Sequence, residues 1–196
     1  MNCKPCVLCL PLCLALTSCA ALPVPREAEQ MRPVQVLAVD AADSGVKVTA
    51  VSTTREDTRT YSAAADTVEA ACAAIQTAAT ATLFYGHTEQ LLAGEGLARR
   101  GLAELLTYVA QSGELRPDTA LFLVRGSAAE GALGSASPVS PRLAAIAARG
   151  EVPTVRDVLV RLTRDGTAEV PILALYKEGV LICDGYAVLR GDRWEA

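Results

Sequence analysis

Val34-Gln35-Val36-Leu37-Ala38-Val39 and Val46-Lys47-Val48-Thr49-Ala50-Val51 flank the polar link Asp40-Ala41-Ala42-Asp43-Ser44-Gly45, and this stretch decides the fold class. β-Branched residues fit the pleated surface of a strand. Two such runs joined by a short link rich in Asp, Ser and Gly pair as an antiparallel hairpin. In the second run Lys47 and Thr49 alternate with valines, so one face meets water and the other the core.

Working outward, Asp66-Thr67-Val68-Glu69 opens a helix like a capping start, and Val68, Ala71, Cys72 and Ile75 follow at the spacing of one buried stripe. Thr82 to Tyr85 and Thr88 to Leu92 are short strand candidates around Gly86-His87. Leu102, Leu105, Leu106 and Val109 repeat the helical stripe, which Gly113 ends. Ala120 to Val124 is an apolar strand. The Gly/Ser/Ala/Pro-rich span from Gly126 to Pro141 is a loop with a helical turn near Ala128 to Leu133. Leu143 to Ala148 is helical, and Thr154-Val155-Arg156-Asp157 starts a helix that Asp165-Gly166 stops. Val170 to Tyr176 and Gly179 to Leu189 then close the domain as paired strands. This order predicts an α+β domain over 34–196, a mixed, largely antiparallel β-sheet with packed helices.

Composition narrows the function. A length of 196 residues holds one domain plus a leader. With 20% charged residues and a net charge of -4, no basic stripe competes for phosphate backbones, so nucleic acid is not an expected partner. His87 is the only histidine, and no Asp or Glu stands at a partner spacing to it, which leaves a hydrolase without its base. Beside a glycine between two strands, His87 reads as a structural hydrogen-bonder. One histidine and scattered cysteines cannot supply the ligands zinc prefers, and no D-x-D-x-D-G loop is present for calcium. Gly94-Glu95-Gly96 with Gly101 is neither G-x-G-x-x-G nor a P-loop, so these glycines read as backbone punctuation. Catalytic residues, metal ligands and cofactors are therefore all expected to be none.

Five of the seven cysteines fall within the first 19 residues. Between Lys4 and Arg26 no residue is charged, and Cys6 to Leu16 has the length of a signal-peptide apolar region, too short to span a membrane. Cys3, Cys6, Cys9 and Cys13 reproduce the C-x2-C-x2-C-x3-C spacing of bacterial ferredoxins, but Leu14 stands where proline is usual and no second cluster exists. Cysteine serves there as a small apolar residue. Leu16-Thr17-Ser18-Cys19 resembles a bacterial lipobox. Small side chains let a peptidase approach the backbone, and the Cys19 sulfur carries the diacylglyceryl group. Residues 1–18 are then the signal peptide and 19–33, with Pro23, Pro25 and Pro33, a lipidated tether. Cys72 and Cys183 are expected to be buried small residues rather than a disulfide.

Several of these segments, in this order, resemble the N-terminal domain of the Ger(x)C spore-germination lipoproteins, the C subunits of nutrient germinant receptors. They are the lipobox Leu16 to Cys19, Arg26-Glu27 ahead of the strand Val36 to Asp40, the helix from Asp66 to Gln76, and Leu83-Phe84-Tyr85-Gly86-His87. Leu91 to Leu102 with Gly94-Glu95 and Ala98-Arg99, Leu115-Arg116-Pro117-Asp118, Val170-Pro171-Ile172 and Asp184 to Leu189 complete the set. The resemblance implies a non-enzymatic, lipid-anchored subunit acting in spore germination. Its site residue would be Cys19, with the ligand-binding residues unknown. It would sit on the outer face of the cell or inner spore membrane, with integral membrane subunits of the receptor as partners. The alternative is a solute-binding lipoprotein delivering a small molecule to a transporter, which needs a cleft with convergent polar groups.

Overall fold

The computed structural model of the chain describes residues 31–195 except 56, 134–138, 150–151 and 177–179. The leader at 1–18 and Cys19 lie outside the described residues, as do residues 19–30 of the tether. Among the described residues ten strands form two sheets. Strands β1 (Met31–Pro33) and β5 (Thr82–Phe84) pair in parallel as a two-stranded sheet. The other eight are β2 (Val36–Ala41), β3 (Val46–Thr53), β4 (Thr58–Ala65), β6 (Gln90–Gly94), β7 (Ala120–Val124), β8 (Thr167–Tyr176), β9 (Val180–Arg190) and β10 (Arg193–Trp194). They lie in the order β10-β9-β8-β7-β6-β2-β3-β4.

The predicted hairpin forms with Val36 opposite Val51 and Val39 opposite Val48. Gly45 closes it at φ +76, and a Cβ there would stand 2.1 Å from the Ala65 carbonyl oxygen, so the turn requires glycine. The closing pair of strands forms too, as β8 against β9. Between the two hairpins β2, β6, β7 and β8 run parallel. The sheet is thus mixed and, counted by paired residues, largely antiparallel, in an α+β fold.

Helices cover both faces. Helices α1 (Val68–Ala78), α2 (Glu95–Arg100), α3 (Ala103–Gln111) and α6 (Val155–Asp165) pack their stripes against Leu37, Val39, Leu91, Leu121, Leu123 and Val170. On the other face α4 (Ala128–Leu133) and α5 (Val139–Ala147) set Ala128, Ala132 and Leu143 over Val36, Ala38, Leu92, Phe122 and Leu173. Covering both faces explains why β6 and most of β2 and β7 are buried without alternation. Each leucine or phenylalanine removed from water there contributes about 1.5–3 kcal/mol.

Helix ends follow local chemistry. The N-cap of α1 is Thr67, whose hydroxyl accepts from the Ala70 N–H at 3.1 Å, while Val68 N–H donates to the Glu104 carboxylate at 2.8 Å. Thr154 and Asp157 form a full capping box on α6, and Gly166 ends that helix in the left-handed conformation at φ +69.

Two segments differ from the sequence reading. Thr58 to Ala65, for which the sequence pattern predicts no element, is edge strand β4, whose inner face carries only the half-buried Tyr61, Ala63 and Ala65. Such small residues give little hydropathy contrast. The segment at 82–84 joins β1 instead of the main sheet. Gly94 and Gly101 stand at the two ends of helix α2 as its N-cap and C-cap, in keeping with their reading as backbone punctuation.

An ion pair ties these margins together: Arg32 on β1 meets Asp57 in the β3–β4 turn, and Asp57 also accepts from Arg59 at 2.8 Å. The Arg32 hydrogen bond, followed by that of Arg59, pulls the Asp57 carboxyl from 3.8 down to about 2. Between those values the unfolded chain binds a proton that the folded chain does not, so acidification favours unfolding. Denaturant titrations should show stability lost as pH falls from about 4 to about 2. Asp57→Asn should be less stable at neutral pH and lose less over that window. An identical acid slope in the variant would refute the assignment.

Candidate functional site

The strands β2, β6 and β7 end side by side, and the residues that follow them are the natural place to look for a site in a sheet with parallel strands. Four segments meet there: Asp40 near the end of β2, Gly94-Glu95 at the end of β6, Arg125-Gly126-Ser127 after β7, and Asp184 on β9.

Asp40 belongs to the hairpin read first in the sequence. Its carboxylate accepts the Ala128 N–H at 2.7 Å, the Ala129 N–H at 2.9 Å and the Ser127 hydroxyl at 3.0 Å. These donors open α4, whose first backbone N–H groups have no partner within the helix. Gly94 makes the approach possible, since a Cβ on it would lie 2.1 Å from Asp40 Oδ1. Glu95 and Gly126 bond reciprocally: Glu95 N–H donates to the Gly126 carbonyl at 3.0 Å, and Gly126 N–H donates to Glu95 Oε2 at 3.2 Å. The Arg99 guanidinium holds the other carboxylate oxygen at 2.8 Å, lowering the Glu95 pKa, and stacks 5.2 Å above the Trp194 ring.

Arg100 and Gly101 carry the chain of contacts further. Arg100 donates to the Gly45 carbonyl at 2.5 Å, clamping the β2–β3 turn. Gly101 sits at φ +138 with Asp192 Oδ2 only 2.5 Å from where a Cβ would be, and the Asp192 carbonyl accepts from Leu102 N–H at 2.8 Å. Arg125 pairs with Asp184 at 2.9 Å. The Gly-Glu-x-x-Ala-Arg-x-Gly pattern is therefore a brace linking the hairpin turn, two helices and the last strands.

Chemically the cluster is self-satisfied. Asp40 spends its carboxylate on three donors, and Glu95 and Asp184 are each bound to a guanidinium. Among the described residues of this cluster none is left as a positioned base beside a nucleophile. His87 is exposed on a 3-10 turn (Tyr85–His87) ahead of β6. Since β2 and β6 are parallel, this is the opposite end of the sheet from Asp40. Among the described residues no group of three or more His, Cys, Asp or Glu could hold a metal ion.

The cysteines part company. Cys72 is buried on α1 as expected, and burial pushes its thiol up to about 11, far from the thiolate that a nucleophile needs. Burial likewise raises the neighbouring Tyr85 and Tyr108 hydroxyls. Cys183 was expected to be buried and is exposed. It lies beside the irregularity where Asp184 and Gly185 oppose Ile172 alone, while Leu181, on the same face, remains covered by the layer of α4 and α5. The two thiols do not bridge. Sequence reasoning missed the capping role of Asp40; the available signal was an acidic residue ending an apolar strand with a small-residue helix start, Ser127-Ala128-Ala129, to receive it.

Among the described residues no helix is long and apolar enough to cross a membrane. A family model described as the spore germination protein N-terminal domain matches residues 25–174. No curated relative and no solved structure matches the chain.

Replacing Asp40 with alanine strands three donors at the start of α4. At about 1–3 kcal/mol for each buried unsatisfied group, partly relieved by water, Asp40→Ala should cost about 2–4 kcal/mol in chemical denaturation. A loss below about 0.5 kcal/mol, the usual range for surface substitutions, would show that the brace is incidental.

Proposed function

Because the chain belongs to the family of the spore germination protein N-terminal domain, matched over residues 25–174, and has a role in spore germination, we propose that it acts as a non-enzymatic, lipid-anchored subunit of a nutrient germinant receptor. The family match is the observation that carries this proposal. The family is generally non-enzymatic, and the polar groups at the strand ends, bound to one another as described, suit a scaffold better than an active site.

In this proposal Cys19 carries the diacylglyceryl group and holds the domain on the outer face of the cell or inner spore membrane. Stable anchoring takes two lipid chains, and one diacylglyceryl-cysteine supplies them. Integral membrane subunits of the receptor are the partners. The domain contributes a rigid body to that complex.

Two measurements test it. The full chain with Cys19→Ala should shift from the membrane to the soluble fraction on carbonate extraction, and complete retention in membranes would remove the anchor. Deleting the gene should slow nutrient-triggered germination and spare germination by routes that bypass nutrient receptors. An unchanged nutrient response would remove the receptor role.

A further inference from the structure

The second face of the sheet is only partly covered. Of the seven large apolar side chains exposed among the described residues, five lie on the β8–β9 hairpin: Leu175, Tyr186 and Val188 on this face, and Tyr176 and Ile182 on the opposite one by strand alternation. Single exposed apolar residues need no explanation, but a group on one element marks a binding surface. At its inner margin a groove of about 350 Å³ separates the hairpin from the end of α5. Ile146 and Val152 form one wall, and Pro171, Leu181 and Tyr186 the other. That size is at the small end of ligand pockets, which are typically apolar with a few polar groups to orient the guest.

Arg149 supplies the polar group. It lines the groove two residues beyond the end of α5, and among the described residues it has no ion pair. The nearest ion pair along the hairpin is already complete, since Asp184 is held by Arg125 at 2.9 Å. Among the described residues no carboxylate lines the groove. A guanidinium presents two parallel N–H groups that match a carboxylate, and an apolar wall favours a guest with an uncharged body.

We propose that the groove between α5 and the β8–β9 hairpin binds a small apolar carboxylate, its carboxylate on Arg149 and its hydrocarbon body against Ile146, Val152, Leu181 and Tyr186. This goes beyond the receptor role and does not depend on it. The brace around Asp40 lies outside the groove's lining, so the guest would not compete with it.

The probe is 3-phenylpropionate, with its neutral amide as the isosteric control, added to the full chain in phosphatidylcholine vesicles and to empty vesicles. Binding is read by ligand-observed NMR and by the rate of alkylation at Cys183, an exposed lining residue, followed by mass spectrometry. Saturable binding in the millimolar range is expected, with the acid about fivefold tighter than the amide, the upper range for one exposed charge pair. The acid should also slow alkylation at Cys183. Arg149→Gln should erase the preference for the acid while leaving amide binding in place, and Tyr186→Ala should weaken both. Both side chains are exposed, so each variant should keep the wild-type melting temperature. Equal binding of acid and amide, an acid preference that survives Arg149→Gln, or uptake no greater than by empty vesicles would overturn the proposal.

Discussion

The Asp40 carboxylate is the constraint on which the two-faced architecture rests. Strand β2 lies in the middle of the sheet, and its last polar residue reaches beyond β6 to bind the first N–H groups of α4. That contact anchors the thinner layer of helices to the sheet. It works only because Gly94 has no side chain: any Cβ there would collide with the carboxylate. A strand end, a glycine and a helix start from three separate parts of the chain thus have to be right together.

From that point a network of charged side chains runs outward. Glu95 joins the ends of β6 and β7, Arg99 holds Glu95 and covers Trp194, and Arg100 clamps the β2–β3 turn. Individually such exposed pairs contribute little. Their combined effect is positional, because each binds a backbone group or an aromatic ring of a different element. The same saturation removes these groups from chemistry, which is why the family's sequence pattern at Gly94 to Gly101 corresponds here to a mechanical joint. The open, unsatisfied part of the surface lies elsewhere, on the β8–β9 hairpin, where the helix cover stops.

Most elements were legible in the sequence because their periodicities are strong. The hairpin at Val34 to Val51, the stripes at Val68 to Ile75 and Leu102 to Val109, and the capping chemistry at Thr154-Asp157 all form. Strand β4 escaped notice because an edge strand buries half of one face, and Ala63 and Ala65 differ little in hydropathy from Thr60 and Ser62. Cys183 misled for a related reason. The residues before it in the strand, Val180 to Ile182, are apolar, but whether a given position is covered depends on how far α5 extends and on the irregularity at Asp184-Gly185.

By itself the sequence determined the α+β class, the hairpins and helices and the family resemblance, because these depend on local spacing, turn chemistry and residue type. Only the tertiary structure decided that Asp40 caps a helix 88 residues away, that β2, β6, β7 and β8 run parallel at the centre, and that Arg149 faces an apolar groove. Those outcomes depend on which distant segments become neighbours. Such pairings are set by the joint burial of both sheet faces rather than by any one stretch of chain.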